Sequence, residues 1–258
     1  MKKKMALLLA AALTMTTILT GCGGGNEENA DKQSDVTAED AKEENASGDS
    51  VSEGGTVFTV GFDAEYPPYG YMDENGEYTG FDLELAQAVC DLEGWELVKK
   101  PINWDSKDME LNSGSIDCIW NGFTMNGRED DYTFSDSYVD NSQVIVVAED
   151  SGIDTLDALA GKVVGVQAAS AALELLQSEE EGGQKALADT FGSLNEFADY
   201  NTAFTELQAG ALDALAIDIG VAKYQIKSRG DGYKIVDETL NTEQYAVAFK
   251  KGNQELCD

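Results

Sequence analysis

Val57-Phe58-Thr59-Val60-Gly61-Phe62 opens the stretch on which the fold is decided. Its β-branched and aromatic residues read as a strand. Pro67-Pro68 and Asn75-Gly76 then mark turns, the second of them a hairpin. Phe81, Leu85, Val89 and Leu92 recur at the spacing of an amphipathic helix, and Gly94 supplies its stop. Trp95 to Lys99 reads as the next strand, Ser106 to Asn112 as a weaker helix and Ile116 to Trp120 as a short buried strand. The order β-α-β-α-β predicts a parallel sheet.

A second cycle follows. Gln143 to Ala148 is an apolar strand, Thr155 to Leu159 a short helix and Lys162 to Val166 a strand. Ser170 to Gln177 reads as a helix capped by Ser170, and Glu179 to Gln184 as an acidic connection. Phe197 to Tyr200, Ala211 to Ile217 and Tyr245 to Phe249 read as strands, with a helix over Thr202 to Gln208. Asp218 ends the middle of these strands, ahead of a helix through about Lys227. The expected class is therefore α/β: two lobes, each a mixed, mostly parallel sheet flanked by helices. Residues 56–143 with 242–258 make lobe 1 and residues 144–241 make lobe 2, with Gln143 to Ala148 and Asp237 to Tyr245 as crossings. Ligands of open α/β sheets bind at the carboxyl ends of strands, so the cleft between lobes is the expected site.

Upstream lies a different kind of sequence. Met1-Lys2-Lys3-Lys4 is a basic start, and Met5 to Leu19 is apolar but too short to span a bilayer, so residues 1–21 read as a secretory signal. Leu19-Thr20-Gly21-Cys22 resembles a bacterial lipobox, which makes Cys22 the expected lipidated residue, carrying palmitate-type acyl chains. From Asn26 to Gly55 there are ten acids, two lysines and no aromatic residue, so residues 22–55 read as an acidic, solvated tether behind the anchor. Cys90 and Cys118 read as buried thiols or, alternatively, as a pair; there is no C-x-x-C. The ending Gly252 to Asp258 reads as the start of a helix that continues beyond the sequence.

The 258 residues carry 49 acids against 17 Lys plus Arg, a formal charge of −32. Such a chain lacks the cations that neutralise phosphates, which argues against a nucleic-acid partner, and its repulsion favours a monomer. It has no His, which excludes His-based acid/base chemistry, the familiar His-assisted nucleophiles and His-ligated zinc. No metal and no cofactor is expected. Only two arginines exist, Arg128 and Arg229. Arg128 follows a strand end and the turn Asn121-Gly122-Phe123-Thr124-Met125-Asn126-Gly127. Its planar fork matches a carboxylate; equally, it reads as a surface cation paired with Glu129, Asp130 or Asp131.

Val60 to Tyr69, Tyr78 to Ala86, Asn112 to Asp117, the Gly122–Arg128 turn and Phe134-Ser135 with Tyr138 resemble, in this order, the first lobe of a known family. Val164 to Ala171 and Gly210 to Asp218 match its second lobe. The family is the extracellular solute-binding lipoproteins of polar-amino-acid ABC importers, family 3, with a type II periplasmic-binding-protein fold. The resemblance covers about Val57 to Lys251. It implies that Arg128 grips the α-carboxylate of a free amino acid, assisted by Thr124 and the Gly122 backbone. Ser170 and Ala171 add N–H donors from a helix start, and Asp218 faces the α-ammonium. Tyr66 and Trp104 enclose the ligand, Asp63 faces its side chain, and Asn121 and Gln167 line the pocket. Alternative readings stand beside these: Tyr66 and Trp104 as core aromatics, Asp218 as a helix N-cap and Asp63 as a brace of the Tyr66 loop. Two departures stand out: the Gly122–Arg128 turn is one residue shorter than the usual spacing, and Lys107 and Asp108 stand where the helix after Trp104 is usually apolar.

The implied function is a lipid-anchored receptor on the extracytoplasmic face of a bacterial membrane that hands an amino acid to ABC permease subunits. It is not an enzyme. Rival readings are a ligand-binding sensor subunit, and a dehydratase or lyase on the same fold using Glu65 or Asp63. Asp63 and Glu65 beside the cleft lean toward a polar or cationic ligand side chain, with cystine and glutamine left open.

Overall fold

The computed structural model describes residues 55–230 and 232–258. The expected signal sequence, the expected lipidation site at Cys22 and almost all of the expected acidic tether lie outside the described residues. The chain runs β1 (Val57–Phe62), β2 (Glu65–Tyr66), β3 (Gly70–Met72), β4 (Tyr78–Thr79), α1 (Phe81–Glu93), β5 (Glu96–Pro101), α2 (Lys107–Ser113), β6 (Cys118–Ile119) and β7 (Tyr132–Phe134). It continues with β8 (Val139–Ala148), β9 (Val163–Gln167), α3 (Ala171–Gln177), α4 (Lys185–Ala188), β10 (Ser193–Phe197), α5 (Tyr200–Gln208), β11 (Ala214–Asp218) and α6 (Ile219–Arg229). β12 (Tyr233–Ile235), β13 (Asn241–Tyr245), β14 (Ala248–Lys250) and α7 (Gln254–Cys257) complete it.

Two large sheets organise these elements, beside a small antiparallel sheet of order β2-β3-β4. The first has the order β5-β1-β6-β14-β7 and the second β10-β9-β11-β8-β12, with β13 also on β8. In each, three strands are parallel, β5-β1-β6 and β10-β9-β11. The remaining pairings are antiparallel, so the sheets are mixed with a larger antiparallel share than the sequence predicts. β11 is buried along its whole length, as its continuous run Ala214-Leu215-Ala216-Ile217 requires of a strand covered on both faces. The long strand β8 and its antiparallel partner β13 carry the chain between the two sheets.

Several local expectations need correction. α1 ends at Gly94 in the left-handed conformation, as read, but it buries Asp82, Leu83, Ala86 and Cys90. The stripe Phe81, Val89 and Leu92 is exposed, at 45%, 37% and 84%. The helix is thus rolled by about a third of a turn from that stripe, and small Ala86 and Cys90 allow it to lie close on the sheet. Tyr200 is not a strand residue: Asp199 accepts a hydrogen bond from Thr202 N at 2.7 Å and so starts α5 there. The predicted strand over Tyr245 to Phe249 is split. Tyr245 ends β13 in the second sheet, and β14 resumes at Ala248 in the first. Cys90 and Cys118 are buried free thiols.

Candidate functional site

One inner cavity collects residues from both sheets. Tyr66 comes from β2 and Trp104 from the turn after β5, while Gly122, Phe123, Thr124 and Arg128 come from the turn after β6. Gln167 ends β9, Ser170 and Ala171 open α3, and Asp218 ends β11. The carboxyl ends of parallel strands thus face each other across the cleft. The lobes press closely here, leaving about 10 Å³, space for the centre of roughly one water.

Gly122 shows why the turn has its sequence. Its φ is +57°, and a Cβ there would sit 3.0 Å from the Tyr245 ring and 3.1 Å from the Tyr66 ring. Its N–H donates to buried Asp82, which also accepts from the Tyr138 hydroxyl at 2.9 Å. Burial pushes the Asp82 carboxyl up to about 7.

At the cationic end, Arg128 is 6% exposed and its guanidinium lies 4.6 Å over the Phe123 ring. Nη1 donates to the Thr124 carbonyl at 3.4 Å. The acidic neighbours Glu129, Asp130 and Asp131 are not its partners. Instead Nε donates to Glu174 of α3 at 3.0 Å, across the cleft. Nη2 lies 2.8 Å from the same carboxylate in an orientation that makes the contact electrostatic rather than a formed hydrogen bond. Lys107 is buried too. Its Nζ donates to the Ala169 carbonyl at 3.2 Å and lies 5.3 Å over the Trp104 ring. Burial and then the Arg128 charge lower the Lys107 ammonium. Ala169 itself is left-handed, at φ 54°, just ahead of Ser170, whose hydroxyl caps Leu173 N at 3.2 Å.

The anionic end is a network. Asp218 accepts from Tyr245 Oη at 2.6 Å, Gln143 Nε2 at 2.7 Å and Asn141 Nδ2 at 2.8 Å. It stands at the N-cap position of α6 but makes no side-chain capping bond. Beside it, buried Glu243 accepts at Oε1 from Thr124 Oγ1 at 2.7 Å, Asn141 Nδ2 at 2.7 Å and Gln143 Nε2 at 2.8 Å. Burial, then the Glu243 charge, raise the Asp218 carboxyl to about 6. Thr124 therefore spends its hydroxyl proton on Glu243, and Gly122 spends its N–H on Asp82. In this structure, then, neither the Thr124 hydroxyl proton nor the Gly122 N–H is free for a ligand carboxylate.

Asp63 and Asn121 lie outside this inner lining. Asp63 accepts from Glu65 N at 2.8 Å, bracing the loop that carries Tyr66, and from Gln167 Nε2 at 2.7 Å across the cleft. Burial raises its carboxyl to about 6. It borders an adjoining cavity of about 660 Å³ whose walls include Glu65, Asp105, Glu110, Glu196 and Asp199. Asn121 is buried against the Gly70 backbone. Sequence reading missed Phe123, Glu174, Asn141, Gln143, Glu243 and Tyr245. Of these, only Phe123 had a signal, as an aromatic residue inside the turn already singled out. Among the described residues there is no cluster of His, Cys, Asp or Glu fit for a metal.

Comparison with known proteins identifies the family. The model of the bacterial extracellular solute-binding proteins, family 3, matches residues 58–258. The L-cystine-binding protein TcyJ of Escherichia coli K12 is 31% identical over 209 residues, which cover 80% of this chain and 75% of the relative. The arginine-binding extracellular protein ArtP of Bacillus subtilis is 32% identical over 263 residues, covering 100% of this chain and 89% of the relative. Among solved structures, an ABC uptake transporter substrate-binding protein from Streptococcus pneumoniae with bound histidine aligns with a TM-score of 0.72 at 34% identity, over 78% of this chain and 82% of that one. An ancestral arginine-binding protein bound to arginine aligns with a TM-score of 0.69 at 38% identity, over 78% and 87%. With its sequence matched from 58 to 258 and its two sheets facing across one cleft, the chain belongs to the bacterial extracellular solute-binding proteins, family 3.

Proposed function

We propose that this protein captures a free amino acid between its lobes and delivers it to an ABC importer, held to the outer face of the membrane through Cys22. One observation carries the reading: Arg128 and Asp218, on opposite sides of the cleft, line the same cavity. A zwitterion needs a cation and an anion a few ångström apart, and a ligand that touches both lobes favours their closure. Arg128 takes the α-carboxylate, with Ser170 and Ala171 beside it. Asp218 takes the α-ammonium, with the Thr124 hydroxyl and the Gly122 carbonyl as further acceptors. Tyr66, Trp104 and Phe123 wall the ligand, Gln167 closes the floor, and Asp63 meets the side chain at the entrance to the acidic cavity. Asn121 supports the turn from behind.

The acids around that larger cavity favour a polar or cationic side chain. The arginine-, cystine- and histidine-binding relatives support the same range. Residues 1–55 fit a signal, a lipidated Cys22 and a tether, residues 56–143 with 242–258 one lobe, and residues 144–241 the other. Calorimetry with the twenty amino acids should find at least one binding at micromolar concentration or below. Arg128→Ala should weaken it by roughly 2–5 kcal/mol, the cost of stranding a desolvated charge partner; unchanged affinity would remove Arg128 from the site. Labelled palmitate should enter the wild type and not Cys22→Ser.

A further inference from the structure

We propose that Glu243 backs Asp218 at the ammonium subsite, so that in mildly acidic solution Asp218 holds a proton while the site is unoccupied and releases it to water when a ligand ammonium enters. This rests on the amino-acid reading above and adds a residue and a proton to it. Glu243 and Asp218 lie on neighbouring elements, β13 and the end of β11, and both are buried, at 4% and 3% exposure. The same two amide nitrogens, Asn141 Nδ2 and Gln143 Nε2, donate to both carboxylates at 2.7–2.8 Å. These amides leave their own oxygens buried without a partner. Turning both donors inward at that cost means that negative charge is what the site is built to hold.

Neither carboxylate is in an ion pair among the described residues. The titratable groups facing Asp218 are the phenols of Tyr66, Tyr69, Tyr200 and Tyr245, each raised by burial and therefore neutral. On the outer side, Asn141 and Glu243 reach a groove of about 700 Å³ that also contains Asp140 and Lys223. Thr124 links Glu243 to the inner cavity.

Two buried carboxylates that share both amide donors repel each other, and burial with the Glu243 charge raises the Asp218 carboxyl to about 6. With Asp218 protonated the subsite carries one negative charge less. When an ammonium enters, Asp218 gives its proton to water and the ligand's charge takes the proton's place, so the net charge of the subsite is unchanged. The exchange lets a cation in without increasing buried charge. It disfavours ligands lacking the ammonium, such as 2-hydroxy acids, which bring no charge to replace the proton.

The test is calorimetry of the full mature protein with L-arginine and L-glutamine, which stay predominantly in one ionisation state between pH 5.5 and 8. At pH 5.5, buffers of different ionisation enthalpy should reveal release of one-half to one proton per ligand; at pH 8, close to none. Affinity should fall several-fold to tenfold between pH 7 and pH 5.5. Glu243→Gln should lose at least half of the proton release seen in the wild type at pH 5.5, and Glu243→Asp should keep it. Absence of buffer dependence in the wild type at pH 5.5, or an unchanged release in Glu243→Gln, overturns the proposal. Should Glu243→Gln misfold, Asp63→Asn separates the other raised carboxyl of the cleft: a release that persists there supports Asp218 as its source, and a release that disappears overturns the proposal. Failure of the broader reading looks different: none of the amino acids binds at pH 8.

Discussion

Glu174 offers a sharp test of how the cleft works. In the structure it holds the Nε and Nη2 edge of Arg128, at 3.0 and 2.8 Å. A ligand carboxylate that takes the same edge has to displace it. The two ends of this pair are unequal, since the Arg128 side chain is 8% exposed and that of Glu174 is 55% exposed. An ion pair so open to water on one side stabilises by about 1 kcal/mol at most. That energy favours the state without ligand and is lost on binding, so Glu174→Gln should tighten amino-acid binding by up to about fivefold. The gain should shrink as salt is raised, because salt already screens the pair in the wild type. Titration of wild type and Glu174→Gln at low and high ionic strength measures both effects. Weaker binding in Glu174→Gln would refute the reasoning. It would mean that Glu174 stays in place and orients Arg128, leaving the other guanidinium edge for the ligand.

Three other predictions follow from the geometry. A Cβ on Gly220 would meet Tyr69 Oη at 2.2 Å and Cζ at 3.0 Å, so Gly220→Ala should prop the lobes apart and weaken binding by about 1–3 kcal/mol; Tyr69→Phe in the same protein should restore part of the loss in calorimetry. Asp82, with its folded-state carboxyl raised from 3.8 to about 7, makes the fold bind a proton more tightly than the unfolded chain does. Its contribution is full below pH 3.8, is lost as pH rises to about 7 and is flat above that, so thermal melts should show a higher Tm at pH 5 than at pH 8, with the difference reduced in Asp82→Asn. Of the three tryptophans, Trp104 is the one bordering the inner cavity, so a ligand-induced change in intrinsic fluorescence should vanish in Trp104→Phe while calorimetric binding persists.

The fold was legible where local signals agreed. The strand at Val57–Phe62, the left-handed stop at Gly94, the Ser170 cap and the strand end at Asp218 are all written in short stretches. The roll of α1 was not. Two stripes on that helix satisfy helical spacing, and the one facing the sheet is the one with small residues and a buried acid, which periodicity alone ranks lower. The division of the chain at Tyr245 was also hidden. Residues 245–249 form one apolar run, yet the first belongs to a strand on β8 and the last two to a strand on β6. A change of sheet within a run leaves no mark on hydrophobicity.

The site divides along the same line. Tyr66, Trp104, Arg128, Gln167 and Asp218 sit at the ends of strands or in turns, where chemistry and local pattern coincide, and each is in the inner cavity. Glu174 and Glu243 carry as much of its electrostatics, but one is an acid on a helix surface and the other an acid in a polar strand of a chain with 49 acids. What singles them out is a partner at long sequence distance: Arg128 is 46 residues from Glu174, and Thr124 is 119 residues from Glu243. The consequence is chemical as well as structural. With Glu243 drawing the Thr124 proton and Asp82 drawing the Gly122 N–H, two residues assigned by their position to the carboxylate end have these donors already engaged. A residue's place in a motif fixes where its atoms stand; which way its hydrogen bonds run is decided by buried acids that the motif does not contain.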